Sequence, residues 1–166
     1  MGRIVLAASL TLVAPAVAWN EPGDFRGVPW GASVEDAKTK VPTLTCIPPE
    51  GPCREFFELG PARVYGFWTF RNGGLDRVDL TFVAQQYPEV KAIFIARYGE
   101  PTAPRTQPIG SGDRPVENEI LEWTGERMSI ELRRFHRGTE QGAGTVRTRA
   151  GLEEAGRRRP GDTKSP

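Results

Sequence analysis

Chemistry-bearing residues are scarce in this chain: 166 residues hold one histidine, two cysteines and two methionines. His136 lies among Arg133, Arg134 and Arg137 with no orienting partner nearby. The serines at 33, 111 and 129 occur in no recognisable nucleophile context, so a Ser–His hydrolase is excluded as a first reading. Neither Cys-x-x-Cys spacing nor a histidine near the cysteines is present, which removes redox-pair and zinc chemistry. No Gly-rich phosphate loop and no compact Asp-x-Asp loop occur, and no cofactor or metal is expected. Charge of one sign is also missing. The 22 Lys plus Arg against 21 Asp plus Glu give a net charge of +1, and that balance excludes general binding to nucleic acid.

Long apolar runs are absent too, apart from the N-terminus. There Met1-Gly2-Arg3, an apolar stretch from Ile4 to Val17 and the small-x-small triplet Ala16-Val17-Ala18 follow the pattern of a secretory signal with cleavage after Ala18. The stretch is interrupted by Ser9, Thr11 and Pro15 and falls short of the ~20 residues a bilayer helix needs, so no membrane span is expected in the mature chain. An exported, periplasmic or extracellular protein then meets an oxidising compartment, and Cys46 and Cys53, at the ends of a Pro-rich loop, are expected to pair. A ring this small should stabilise by roughly 2 to 3 kcal/mol on the chain-entropy model.

What is present is β-rich. Val64–Arg71 and Leu75–Val83 flank Asn72-Gly73-Gly74, the strongest hairpin signal in the chain. Val78, Leu80 and Phe82 alternate with Arg77, Asp79 and Thr81, as in a strand with one wet face. Residues 54–59, 120–124 and 128–135 read as further strands. Ser33 is a good N-cap for a short helix over 34–41 ended by Pro42. Pro88 opens a second over 88–98, with Val90, Ile93, Phe94 and Tyr98 as its apolar stripe and Gly99 as its stop. Glu100 to Pro115 reads as a long irregular loop. Residues 138–166, poor in large apolar groups and slightly basic, read as a disordered tail with at most a turn or two of helix near Leu152–Arg157.

Two likenesses follow from these residues. The segment Phe25-x-Gly27-x-x-Trp30-Gly31-x-Ser33, leading into a short acidic helix behind a signal peptide, resembles the opening of small exported bacterial proteins and implies no activity. Trp68-Thr69 and Trp123-Thr124, each followed by an alternating strand, suggest a weak repeat of two α-loop-β-β units. The fold class expected is α+β: one domain over 19–137, a single antiparallel sheet of about five strands, and two helices packed on one face. That arrangement is similar to β-lactamase-inhibitor-like and outer-membrane-assembly-lipoprotein-like folds, a likeness of architecture.

For function, the sequence favours a non-enzymatic, monomeric binding module whose sheet face carries Trp30, Tyr65, Phe67, Trp68 and Trp123 with Arg133 at the rim. Arg63, Arg71 and Arg134 would flank that face. The partner would be an envelope protein, a peptide or a glycan. Core packing is the competing role for those aromatics. Two alternatives stand beside it: a carboxylate-dependent envelope hydrolase drawing on Glu117, Glu119, Glu122, Glu126 or Glu131, and a small inhibitor presenting the 100–115 loop.

Overall fold

The computed structural model describes residues 19–47, 52–110 and 115–157. The expected signal peptide and its cleavage point lie outside them, as does the end of the expected tail. The described chain is mostly β. A two-residue ribbon, β1 (Asp24–Phe25) and β2 (Val28–Pro29), precedes α1 (Val34–Lys40). Then come β3 (Thr45–Cys46), β4 (Cys53–Leu59), β5 (Ala62–Arg71) and β6 (Gly74–Val83). A 3-10 turn (Ala84–Gln86) leads into α2 (Tyr87–Tyr98). The rest is β7 (Arg105–Ile109), β8 (Val116–Thr124), β9 (Met128–Arg133), β10 (Gln141–Thr148) and α3 (Arg149–Arg157).

The expectation of an α+β fold built on a five-stranded sheet is corrected here. Eight strands form one antiparallel sheet in the order β3-β4-β5-β6-β10-β9-β8-β7, and β1–β2 form a second, two-stranded sheet. Two four-stranded meanders, each preceded by a helix, therefore meet along β6 and β10. The repeat unit has four strands rather than two, and Trp68 on β5 and Trp123 on β8 occupy different strands of their meanders.

Two of the added strands come from segments expected to be irregular. Residues 105–109, inside the expected loop, pair with β8 at the sheet edge, and Pro108, which has no N–H to donate, suits an edge. Residues 141–148, inside the expected tail, are a central strand with β6 on one side and β9 on the other. The reason lies in the neighbours. A Cβ on Gly142 would stand 2.2 Å from the Phe82 ring, and one on Gly144 would touch Leu80 and Leu132 at 3.5 Å. Large side chains of β6 and β9 thus lie over the bare backbone of β10, whose one large apolar residue is the buried Val146.

Local signals explain the remaining elements. Asn72 (φ 51°) and Gly73 (φ 80°) adopt the left-handed pair that a tight β5–β6 reversal requires. Ser33 Oγ accepts from the Asp36 backbone N–H at 3.1 Å and caps α1. Gly99 (φ 85°) closes α2 by donating to the Ile95 carbonyl at 2.8 Å. Cys46 and Cys53 are directly opposite on β3 and β4 and form a disulfide, as expected.

One face of the sheet builds the core. Val64, Trp68, Val78, Leu80, Phe82, Trp123, Ile130 and Leu132 pack with Ala37 and Val41 from the α1 region and with Val90, Phe94 and Tyr98 of α2. The entry ribbon seals the β4 side: Phe25 sets its ring 5.3 Å from Trp68 and 6.2 Å from Phe57, and Arg26 lies 4.3 Å over Phe57. Beneath it the buried Glu55 carboxylate pairs with Arg26 at 3.2 Å and accepts from Thr43 Oγ1 at 3.2 Å. Burial raises the Glu55 pKa, against the lowering effect of Arg26 and Thr43.

Candidate functional site

Strand alternation sends every second side chain of β4, β5, β6, β8, β9 and β10 away from the core. The face they form is the one opposite α1 and α2. It has two parts.

On the β4–β5 side stand Phe56, Tyr65 and Phe67. Phe56 is opposite Tyr65 in register, with ring centroids 4.3 Å apart, and Tyr65 meets Phe67 edge-on at 4.5 Å. Phe56 is 76% exposed and Phe67 39% exposed. Three contiguous rings on a sheet face that no described helix covers differ in kind from scattered surface apolar residues, which need no explanation.

Beside them, over β6, β10 and β9, runs a trough of about 500 Å³. Its floor is low at Ala143 and Thr145 of β10, which lie between longer side chains on both flanks, with Arg147 of the same strand at one end. Arg77 clasps Asp79 through Nε and Nη2 at 2.9 and 2.6 Å, and Thr145 Oγ1 donates to the same Asp79 oxygen at 2.8 Å. Arg133 binds Glu131 through Nε at 2.9 Å and again through Nη2. Arg147 donates to Ser129 Oγ at 3.2 Å. His136 and Arg137 also line the trough. Burial, then Arg133 and Arg137, lower the His136 pKa, against the raising effect of Asp79 and Glu131.

The residues expected to bind ligand divide between the two faces. Tyr65, Phe67 and Arg133 are on the uncovered face. Trp68 and Trp123 are fully buried in the core, where Trp123 packs 6.1 Å from Phe94 and donates its Nε1–H to the Gly99 carbonyl at 2.9 Å. Their ligand role is thereby corrected: alternation places both on the helix side. Trp30 is half-buried beside α3, its Nε1 donating to the Pro22 carbonyl at 3.0 Å, and does not reach the trough. Of the flanking arginines, Arg71 pairs with Asp76 at 3.4 Å near the hairpin turn, and Arg134 lies over the Phe135 ring.

Sequence reasoning did not select Phe56, Arg77, Arg137 or Arg147 as site residues. Phe56 and Arg77 were legible as outward positions of recognised strands. Arg147 was not, because its strand carries too little apolar periodicity to be seen.

Among the expected carboxylates, Glu122 and Glu131 are directly opposite on β8 and β9. Arg105 donates to Glu122 Oε1 at 3.0 and 2.8 Å and approaches Glu131 at 3.9 Å, so guanidinium groups clamp both. The aromatic row is on the other half of the sheet. An acid–base pair sets one carboxyl in apolar surroundings, whereas guanidinium groups stand against both of these. No group of three or more potential metal ligands occurs among the described residues, and no described helix is long and apolar enough to cross a membrane.

Searches with protein-family models, among curated proteins and among solved structures return no match to this chain.

Proposed function

We propose that the chain is an exported, non-enzymatic binding module that docks a partner protein on the uncovered face of its eight-stranded sheet. The observation that carries this reading is the exposed row Phe56–Tyr65–Phe67 beside a polar trough. Rigid aromatic rings with a charged rim are what protein interfaces use as anchors, since they bury much area at little conformational entropy. The cross-strand disulfide and the signal-like N-terminus support export. The opposed carboxylates Glu122 and Glu131 are the observation nearest to the hydrolase alternative, and their clamping by Arg105 and Arg133 weighs against it. The inhibitor alternative needs a free 100–115 loop, of which residues 105–109 belong to the sheet.

The test is site-specific photo-crosslinking in the cell envelope. A photoreactive phenylalanine analogue at position 56 or 67 should give a discrete protein adduct. The same analogue at Glu89, exposed on α2, should give none. Equal adducts at positions 56 and 89, or none at 56 and 67, would overturn the proposal.

A further inference from the structure

The trough beside the aromatic row is lined by four arginines, Arg77, Arg133, Arg137 and Arg147, against two carboxylates, Asp79 and Glu131. Arg77 and Arg147 are directly opposite each other on the two central strands, and like charges in that relation are destabilising. Asp79 is committed to Arg77 and Thr145, and Glu131 to Arg133 with Arg105 nearby. No carboxylate among the described residues is within ion-pair distance of Arg147 or of Arg137. Arg147 is half-buried and spends its Nε on a neutral hydroxyl. Burial first, and Arg77 second, depress its pKa, against the raising effect of Glu131, Asp79 and Asp76. Asp79 offsets Arg77, so the surplus positive charge of the trough rests with Arg147 and Arg137, and a surface of that sign suits an anion from outside the fold.

We infer that the trough seats a carboxylate of an acidic segment of the partner protein, held by Arg77 and Arg147 and supplemented by Arg137, while an apolar residue of the same segment lies on Phe56, Tyr65 and Phe67. Charge complementarity selects this occupant, and planar guanidinium groups match a carboxylate through paired N–H donors. The row Thr69–Arg77–Arg147 runs across the sheet next to the row Phe67–Asp79–Thr145. With strands ~4.8 Å apart and a rise of ~3.4 Å per residue, Arg147, two strands across and two residues along, stands about 12 Å from Phe67. An extended segment covers that distance in about three to four residues. The partner's apolar anchor and its carboxylate are therefore about three to four positions apart. This inference rests on docking at the uncovered face and specifies its chemistry.

The probe is the blocked peptide acetyl-Phe-Ser-Gly-Asp-Asp-amide, compared with its Asn-Asn isostere and with inorganic phosphate, each titrated into the mature chain and followed by the arginine Nε–H signals in NMR. The acidic peptide should shift the Arg77 and Arg147 signals saturably, with affinity about tenfold above that of the isostere. Arg147→Gln should weaken it about tenfold, Arg137→Gln, at an exposed position, severalfold, and Arg97→Gln on α2 not at all. The second variant keeps the test valid if Arg147→Gln perturbs folding. Equal binding of the isostere, or phosphate matching the peptide, would overturn the inference. A silent acidic probe alongside persistent crosslinks at position 56 would remove the acidic partner and leave the docking face; the reverse pattern would remove the face as a protein dock and leave the anion seat.

Discussion

Gly142 shows how far one methyl group reaches in this sheet. Its missing side chain is the space that the Phe82 ring occupies, so Gly142→Ala forces ring and strand apart. We expect a loss of about 1–3 kcal/mol in denaturant unfolding. Phe82→Leu in the same chain should recover part of that loss, because the two positions share one volume. Glu55 makes a second prediction at this scale. A carboxyl whose folded pKa is raised binds more protons in the fold than in the unfolded chain, so its contribution to stability falls as pH rises from the ordinary carboxylate range through the raised folded value. Glu55→Gln should remove that slope in melts compared across this window, whereas an unchanged slope would assign the pH dependence to other groups. Individual residues were unevenly legible. The tryptophans announced importance but not direction: a large aromatic suits either face of a strand, and only the register placed Trp68 and Trp123 inward. His136 was read correctly as lying among arginines, because its neighbours in sequence are also its neighbours in space.

Elements with their own local signals were read well, and elements held by their surroundings were not. The hairpin β5–β6, both strands around Glu126 and α2 carry turn residues, caps and periodicity within their own spans. Phe94, at the centre of the α2 stripe, touches Tyr98 and Trp123 and is buried. Phe94→Ala should cost about 3–5 kcal/mol; a loss below ~1 kcal/mol would mean that α2 contributes little to the core. β7 and β10 have no comparable signature. β7 is short, polar and interrupted by Pro108. The apolar volume over β10 belongs to Phe82, Leu80 and Leu132, so no window along β10 could reveal it. α3 is tied to the sheet by polar contacts: the Thr148 hydroxyl donates to Asp76 and accepts from the Gly151 N–H at 3.1 Å, and the Asp76 carboxylate fills the space a Gly151 side chain would need.

For the whole molecule, the strand count and the closing strand of the sheet escaped the sequence, while the helix-then-strands rhythm was visible in outline. The candidate site was half legible for the same reason. Its aromatic part is on early strands with clear alternation, and its arginine part depends on β10, which acquires a place only when both meanders exist. The seam between those meanders carries a kinetic consequence. Every other ladder of the large sheet joins strands adjacent in the chain, but β6 (74–83) must wait for β10 (141–148). Contacts distant in sequence are slow to form because loop-closure entropy precedes their reward. Each meander should thus collapse on its own helix early, with the seam zipping last. Stopped-flow refolding should then show Val146→Ala mainly accelerating unfolding and Val78→Ala, inside the local hairpin, mainly slowing folding. Until the zip closes, β6 offers an open edge to any neighbouring chain, and crowded refolding should aggregate through that strand.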